Sequence, residues 1–292
     1  MFEAVRSPYL VPFDGTFNHK DAPTAPPKNA PEKSARVAQL QALVAELASL
    51  QHILYAHDHH AVLLIFQAMD AAGKDSTIRA VLSGVDPAGC QVTSFKHPSA
   101  TELSHDFLWR TSQHLPERGR IGVFNRSYYE EVLVVRVHPE ALDEENLPYR
   151  PKKLEELWRE RYESIRDHEK HLARSGTVIL KFWLNVSPQE QRDRLLARLE
   201  EPEKNWKFEE GDLAERARWK DYMAAYEEAL RETSRPWAPW YAIPADSKSY
   251  MRMTIADILV RTLKSLDLKY PKLAKEQLDK FGEMKKQLSK EK

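Results

Sequence analysis

The sequence predicts an α/β fold built on a five-stranded parallel sheet covered by helices on both faces. Two observations carry this: five short apolar runs lie along the chain, and segments with helical apolar spacing separate them. A third locates the working end of the sheet, because a Gly-Lys turn stands between the first run and the helix after it.

The elements follow in order. Residues 1–31 hold the Pro-rich stretch Asp21 to Pro31 and little periodicity, so they are expected as an arm lying on the surface or partly mobile. From Glu32 to Ala56, Val37, Leu40, Leu43, Val44, Leu47, Leu50, Ile53 and Leu54 recur at helical spacing. AVLLIF at 61–66 reads as the first strand, with a helix from about Lys74. CQVTSF at 90–95 and IGVF at 121–124 read as the second and third strands. Helices are expected at Glu102 to Leu115 and around 127–136. A long charged helix over 152–174 stops at Gly176, a residue suited to the left-handed C-terminal cap. TVILKFWLNV at 177–186 is the fourth strand, and Ser187-Pro188-Gln189-Glu190 then begins a helix. A further helix over 212–233, the strand WYAIPA at 240–245 and a helix over 249–267 complete the domain, which spans 32–268. Residues 269–292 form a Lys-rich tail with a short exposed helix.

Composition narrows the function. Lys plus Arg equals Asp plus Glu at 44 each, so the chain's overall field attracts no polyanion and phosphate binding needs a local cluster. A nucleic-acid partner is not expected, since such binders carry a basic excess. Cys90 is the only cysteine, which excludes an intrachain disulfide. The first residues lack the order of a secretion signal and no apolar run is long enough to cross a bilayer, so a cytoplasmic address without a membrane partner is expected.

The turn Ala68-Met69-Asp70-Ala71-Ala72-Gly73-Lys74-Asp75-Ser76-Thr77 suits a phosphate-binding P-loop. Amides of Ala71, Ala72, Gly73, Asp75 and Ser76 would wrap a phosphate, and Lys74 would reach its outer oxygens. The turn departs from G-x-x-x-x-G-K-[ST] twice, with Ala68 at the first glycine position and Asp75 in place of the metal-binding hydroxyl. A carboxylate inside an anion site repels phosphate unless a cation intervenes. Asp70 therefore either bridges magnesium to the phosphates or orients the attacking phosphate, a turn-capping role being the structural alternative. At the end of the third strand, Arg126 is placed to grip a phosphate, and Asn125 can ligate a metal only through its amide oxygen. Glu130 is the candidate for the carboxylate Asn125 lacks. Eight basic residues fall between Arg192 and Lys220. They include Arg198, Lys204 and Lys207, which bracket a loop expected to act as a mobile lid over about 198–214. His57-Asp58-His59-His60 has ligand types without a partner set and is read as a helix-to-strand junction.

Five ordered stretches, FQAMDAAGKDST, SHDFLWR, GVFNRSYYEEVLVVRV, KFWLNVSPQEQRDRLLARLEEPEKNWKF and APWYAIPAD, resemble the family-2 polyphosphate kinases from about residue 35 to 268. The Q-A-M-D and F-N-R-S forms are most similar to the subgroup that phosphorylates AMP as well as ADP. The resemblance implies a thymidylate-kinase-like P-loop kinase fold, a three-layer sandwich with a helical lid. It implies reversible, magnesium-dependent transfer from inorganic polyphosphate to AMP or ADP, with manganese as a possible substitute, and a homo-oligomer, dimer or tetramer. By the same resemblance Asp70 serves metal binding or catalysis, Lys74 contacts phosphates, Arg126 is the arginine after the third strand, and many members have aspartate at Asn125. Arg110, Arg198, Lys204 and Lys207 match basic positions of the phosphate channel and lid. An ATP-dependent kinase on the same fold and a non-catalytic binding module are the competing classes.

Overall fold

A computed structural model describes residues 2–291. Its five-stranded sheet has the order β2-β3-β1-β4-β5, from β1 (Ala61–Gln67), β2 (Cys90–Ser94), β3 (Ile121–Asn125), β4 (Thr177–Asn185) and β5 (Trp240–Pro244). Every pairing is parallel. β1, β3 and β5 are buried along their whole length, which is why they read as continuous apolar runs rather than alternating ones. On one face α1 (Lys33–His57) and α2 (Lys74–Val81) pack against α10 (Lys248–Ser265). On the other, α6 (Leu154–Arg174) lies on β4 and against α9 (Trp219–Thr233). The register sets Phe66 of β1 beside Asn125 of β3, so the ends of both central strands meet at one edge.

Three predicted helices are broken. Over 102–115 the chain forms two single turns, α3 (Ala100–Leu103) and α4 (Trp109–Ser112). Ser99 and Glu102 close a capping box at the start of α3, and Asp106 Oδ1 accepts the Leu108 amide at 3.0 Å ahead of α4, so each turn is started by its own side chains. Around 127–136 a 3₁₀ turn, Tyr128–Val132, precedes the short α5 (Val134–Val137). Ser127 Oγ takes the Tyr129 amide at 3.2 Å, and the four valines among residues 132–137 do not favour a long helix. Over 212–233, α8 (Gly211–Ala217) is separated from α9 at Arg218, whose guanidinium donates to the Val137 carbonyl at 2.8 Å. The helix after β4, α7 (Pro188–Glu200), starts as expected, with Ser187 Oγ accepting the Glu190 amide at 3.1 Å. α11 (Lys275–Leu288) is the exposed tail helix. The stop at Gly176 has φ 97°, in the left-handed region glycine tolerates.

The N-terminal arm is stitched to the sheet rather than loose. The Val11 amide donates to the Trp240 carbonyl at 2.9 Å and the Ala242 amide to the Tyr9 carbonyl at 2.8 Å, an antiparallel bridge along β5. Tyr9, Val11 and Phe17 are buried in the core, and Asn185 Nδ2 donates to the carbonyls of Ala22 and Pro23 at 3.0 and 3.2 Å. Among the described residues no helix is long and apolar enough to cross a membrane.

Candidate functional site

The loop between β1 and α2 is held from outside by α7. Gln191 Nε2 donates to the Asp70 carbonyl at 3.0 Å, and Arg194 Nη1 to those of Ala71 and Ala72 at 3.2 and 2.6 Å. In a trans peptide the N–H points opposite the C=O. With three successive carbonyls turned to α7, the amides of Ala71, Ala72 and Gly73 face the other side, and Ala72's closes a turn on Met69 at 3.3 Å. Gly73 has φ 107° and Ala71 φ 60°, and the left-handed alanine costs about 1–2 kcal/mol. The first-turn amides of α2 add donors with no intrahelical partner. Lys74 Nζ reaches back to the Ala68 carbonyl at 2.7 Å, and Ser76 Oγ to that of Gly73 at 3.1 Å.

The end of β3 meets this loop. Arg126 has φ 65°, and its amide donates to the Phe66 carbonyl at 3.0 Å. Its guanidinium bridges two carboxylates, Nη2 to Asp70 Oδ1 at 3.0 Å and Nη1 to Glu130 Oε2 at 3.3 Å. Glu130, then Asp70, raise the Arg126 pKa above its ordinary value against burial. Burial, then the Arg126 charge, lower that of Lys74, while Asp70, Glu130 and Asp75 oppose the fall. Lys74 and Arg126 thus share one electrostatic site. Asn125 Nδ2 donates to Asp75 Oδ1 at 2.6 Å and to Ser94 Oγ at 3.3 Å, tying the start of α2 to the ends of β3 and β2.

The turn carrying Arg126 and Glu130 is anchored on its far side by α6. Tyr128 and Tyr129 hydroxyls donate to Glu169 Oε1 at 3.0 and 2.9 Å, and the buried Lys181 ammonium donates to Glu169 Oε2 at 2.6 Å. Arg161 Nη1 donates to the Glu131 carbonyl at 2.9 Å and its carboxylate at 3.0 Å. Residues 128, 129 and 131 face inward, which leaves 126 and 130 to face the loop.

The remaining predicted residues are held by local partners. Arg110 donates to the Lys96 carbonyl at 2.8 Å and lies over the Phe95 ring beside Glu102. Arg198 donates to Asp212 Oδ2 at 2.9 Å, Lys204 pairs with Glu201, and Lys207 lies over the Trp206 ring. Burial, then the charge of Asp70, raise the Asp212 carboxyl, so the Arg198–Asp212 pair lies within the loop's field. The structure therefore gathers Asp70–Gly73, Lys74, Asp75, Ser76, Asn125, Arg126 and Glu130, and binds Arg110, Arg198, Lys204 and Lys207 to local partners. Of the proposed ligands, Asp70 and Glu130 both pair with Arg126.

Sequence reasoning missed the clamp role of Gln191 and Arg194, which looked like members of a charged helix. The available signal was their i, i+3 spacing on the helix after the fourth strand, a face that must meet the sheet's working end. Replacing Arg194 with methionine removes its charged donors from carbonyls that then stay unpaired, at a cost of about 3 kcal/mol. The expected result is a clearly lower midpoint in urea unfolding; an unchanged midpoint refutes the clamp.

The donor chemistry suits a hard divalent cation. Asn125 Oδ1 is buried without a hydrogen-bond partner, and Arg126 binds one oxygen each of Asp70 and Glu130. Among the described residues no group of three or more His, Cys, Asp or Glu gathers as a metal cage. Magnesium needs none, since it is commonly held by one or two carboxylates together with water and substrate phosphates.

Known proteins share this architecture. The family described as Polyphosphate kinase 2 matches residues 30–271. A protein of Rhodopseudomonas palustris named ADP-polyphosphate phosphotransferase is 57% identical over 251 residues, 86% of this chain and 87% of that one. An AMP/ADP-polyphosphate phosphotransferase of Meiothermus ruber is 48% identical over 82% of this chain and 85% of its own. The crystal structure of Polyphosphate Kinase 2 from Arthrobacter aurescens superposes with a TM-score of 0.82 at 39% identity, covering 93% of this chain and 95% of that one. With the family matched over residues 30–271 and most of the chain aligned to these relatives, this protein belongs to the polyphosphate kinase 2 family.

Proposed function

We propose that the chain transfers the terminal phosphoryl group of inorganic polyphosphate to AMP and ADP, forming ADP and ATP reversibly. The single observation that carries the reading is the bridge from Arg126 to Asp70 and Glu130 beside the Lys74 loop. Phosphoryl transfer asks for positioning and for neutralisation of charge on the transferred group. The amides of Ala71, Gly73 and the first turn of α2 cradle the donor's terminal phosphate, and Lys74 turns from the Ala68 carbonyl to its outer oxygens. Arg126, held rigidly from behind, presents guanidinium N–H groups to the equatorial oxygens, and the fixed carboxylates keep it aimed. Asp70 and the Asn125 amide oxygen are the residues that would hold magnesium, which when bound offsets phosphate charge as the in-line geometry forms. The names of the relatives from Rhodopseudomonas palustris and Meiothermus ruber support the choice of donor and of acceptors.

The test is a donor-by-acceptor matrix with purified enzyme and magnesium. ATP is expected from AMP plus polyphosphate with no ATP supplied, and ADP should accept as well. Activity confined to ATP plus a nucleoside would transfer the case to an ATP-dependent kinase, and binding without turnover to a non-catalytic module.

A further inference from the structure

Eight tyrosines are buried among the described residues, and the hydroxyls of all but one have a hydrogen-bond partner within the chain. The exception is Tyr226 of α9, which is 3% exposed. Its neighbour one turn earlier, Tyr222, donates its hydroxyl to Glu215. A buried phenol ordinarily finds a partner, because an unpaired hydroxyl away from water is costly. Nor is the Tyr226 oxygen sealed in: the unpartnered polar atoms shut off from solvent include Asn125 Oδ1 but not this one. An open, unpaired hydroxyl on a buried ring is free to meet a ligand.

The ring stands at the working end of the sheet. It stacks on Trp183 of β4, with centroids 5.4 Å apart and planes at 28°. Trp183 pairs in register with Gln67, the last residue of β1 before the phosphate-binding loop. α9 also packs against the turn 128–132 that carries Glu130. Tyr226 therefore reaches the site from the α6–α9 face of the sheet, opposite the face that carries α2. Burial, then Glu130 and Asp70, hold its hydroxyl well above the ordinary phenol range, with Arg126 opposing, so the group keeps its proton.

The N-terminal arm fixes this ring from behind. Phe17 meets Trp183 edge-on at 6.1 Å and 88°. His19 holds Glu227 Oε2 through its amide at 3.0 Å and Nδ1 at 2.5 Å, and Arg231 donates to the Phe17 carbonyl. The residues of α9 on the C-terminal side of Tyr226 are thus tied to the arm. A hydroxyl held in this way needs little rearrangement to meet a developing charge.

We infer that Tyr226 is a further catalytic residue, whose hydroxyl donates a hydrogen bond to an equatorial oxygen of the phosphoryl group in transit beside Arg126. The inference rests on phosphoryl transfer at this site. No proton leaves the phenol, and the bond broken and the bond formed are both on the transferred phosphorus. Lys74 and Arg126 balance the charges of Asp70 and Glu130, so a neutral donor adds a hydrogen bond without upsetting that balance.

The experiment compares wild type, Tyr226→Phe and Tyr222→Phe in ATP formation from polyphosphate and ADP with magnesium. Phenylalanine keeps the stack on Trp183, so the thermal midpoint of Tyr226→Phe should stay within about 2 °C of wild type. Its kcat is expected to fall about 30-fold with KM for both substrates within about twofold, the loss of one hydrogen bond to a charged group made in the transition state. Tyr222→Phe, which loses a hydroxyl already committed to Glu215, should keep kcat within about threefold. A wild-type kcat for Tyr226→Phe, or equal losses in the two variants, overturns the contact. If wild type makes no ATP from polyphosphate, that donor fails, and the same enzymes are compared for transfer from ATP to AMP. There the same selective loss upholds the contact and a wild-type rate refutes it. A chain that transfers phosphoryl from neither donor refutes both readings.

Discussion

Asp70→Asn leaves a folded enzyme with its rate reduced roughly 1,000-fold, about 4 kcal/mol of transition-state stabilisation. The substitution keeps the side chain's shape and the backbone bond by which Gln191 holds the Asp70 carbonyl at 3.0 Å. Only the charge is removed, and that charge does two things. It is half of the pair that aims Arg126, and it is a carboxylate within the cradle loop itself. An amide oxygen binds magnesium far more weakly than a carboxylate, and with Asn125 already neutral the variant would leave two amides where a carboxylate and an amide stood. Steady-state ATP formation under saturating magnesium, with circular dichroism and thermal unfolding as controls, reads the effect. A wild-type rate would remove Asp70 from the mechanism. Recovery of activity at high magnesium would place its main role in metal affinity.

Arg126→Ala lowers the rate on the order of 100-fold or more, the loss typical when one preorganised charge is taken from a transition state. The cost has two parts. The guanidinium no longer meets the transferred phosphate, and Asp70 and Glu130 lose the group that lies between them at 3.0 and 3.3 Å. Uncompensated carboxylates then face incoming phosphate, so the KM for both substrates should rise as kcat falls. Arg126→Lys keeps one charge but cannot bridge both acids at once, and should fall between alanine and wild type. The φ of 65° strains arginine, lysine and alanine alike, so a stability difference among the three reflects the side chain and not the backbone. Measurement of kcat and KM for the three enzymes separates these effects, and an Arg126→Ala enzyme with wild-type constants would refute the role.

Most of the fold was legible because β1, β3 and β5 are buried on both faces and so read as largely apolar runs. The breaks at Asp106, Ser127 and Arg218 were not, for different reasons. At the first two a single polar side chain competes with the helix for a backbone amide, and a periodicity of apolar residues does not register that. At Arg218 the competitor is a carbonyl 81 residues away. The site divides in the same manner. Asp70, Lys74, Asn125 and Arg126 stand at the ends of adjacent strands, where sequence position alone brings them together. Gln191, Arg194, Glu169 and Lys181 act through partners remote in sequence, and on their own helices and strand they look like ordinary surface or core residues. The lid cations were the reverse case, since their clustering was visible while their engagement with Glu201, Asp212 and Trp206 was not.

The arm along β5 has a consequence for how the molecule is made. Its backbone partners at Trp240, Ala242 and Asp246 follow it by more than 200 residues, so during synthesis the arm waits, unpaired, until nearly the whole domain has left the ribosome. Closing so long a loop is among the slower and entropically costlier steps available to a chain. The clasp is therefore expected to form last, and until it does, the outer edge of β5 is open to strands of other copies.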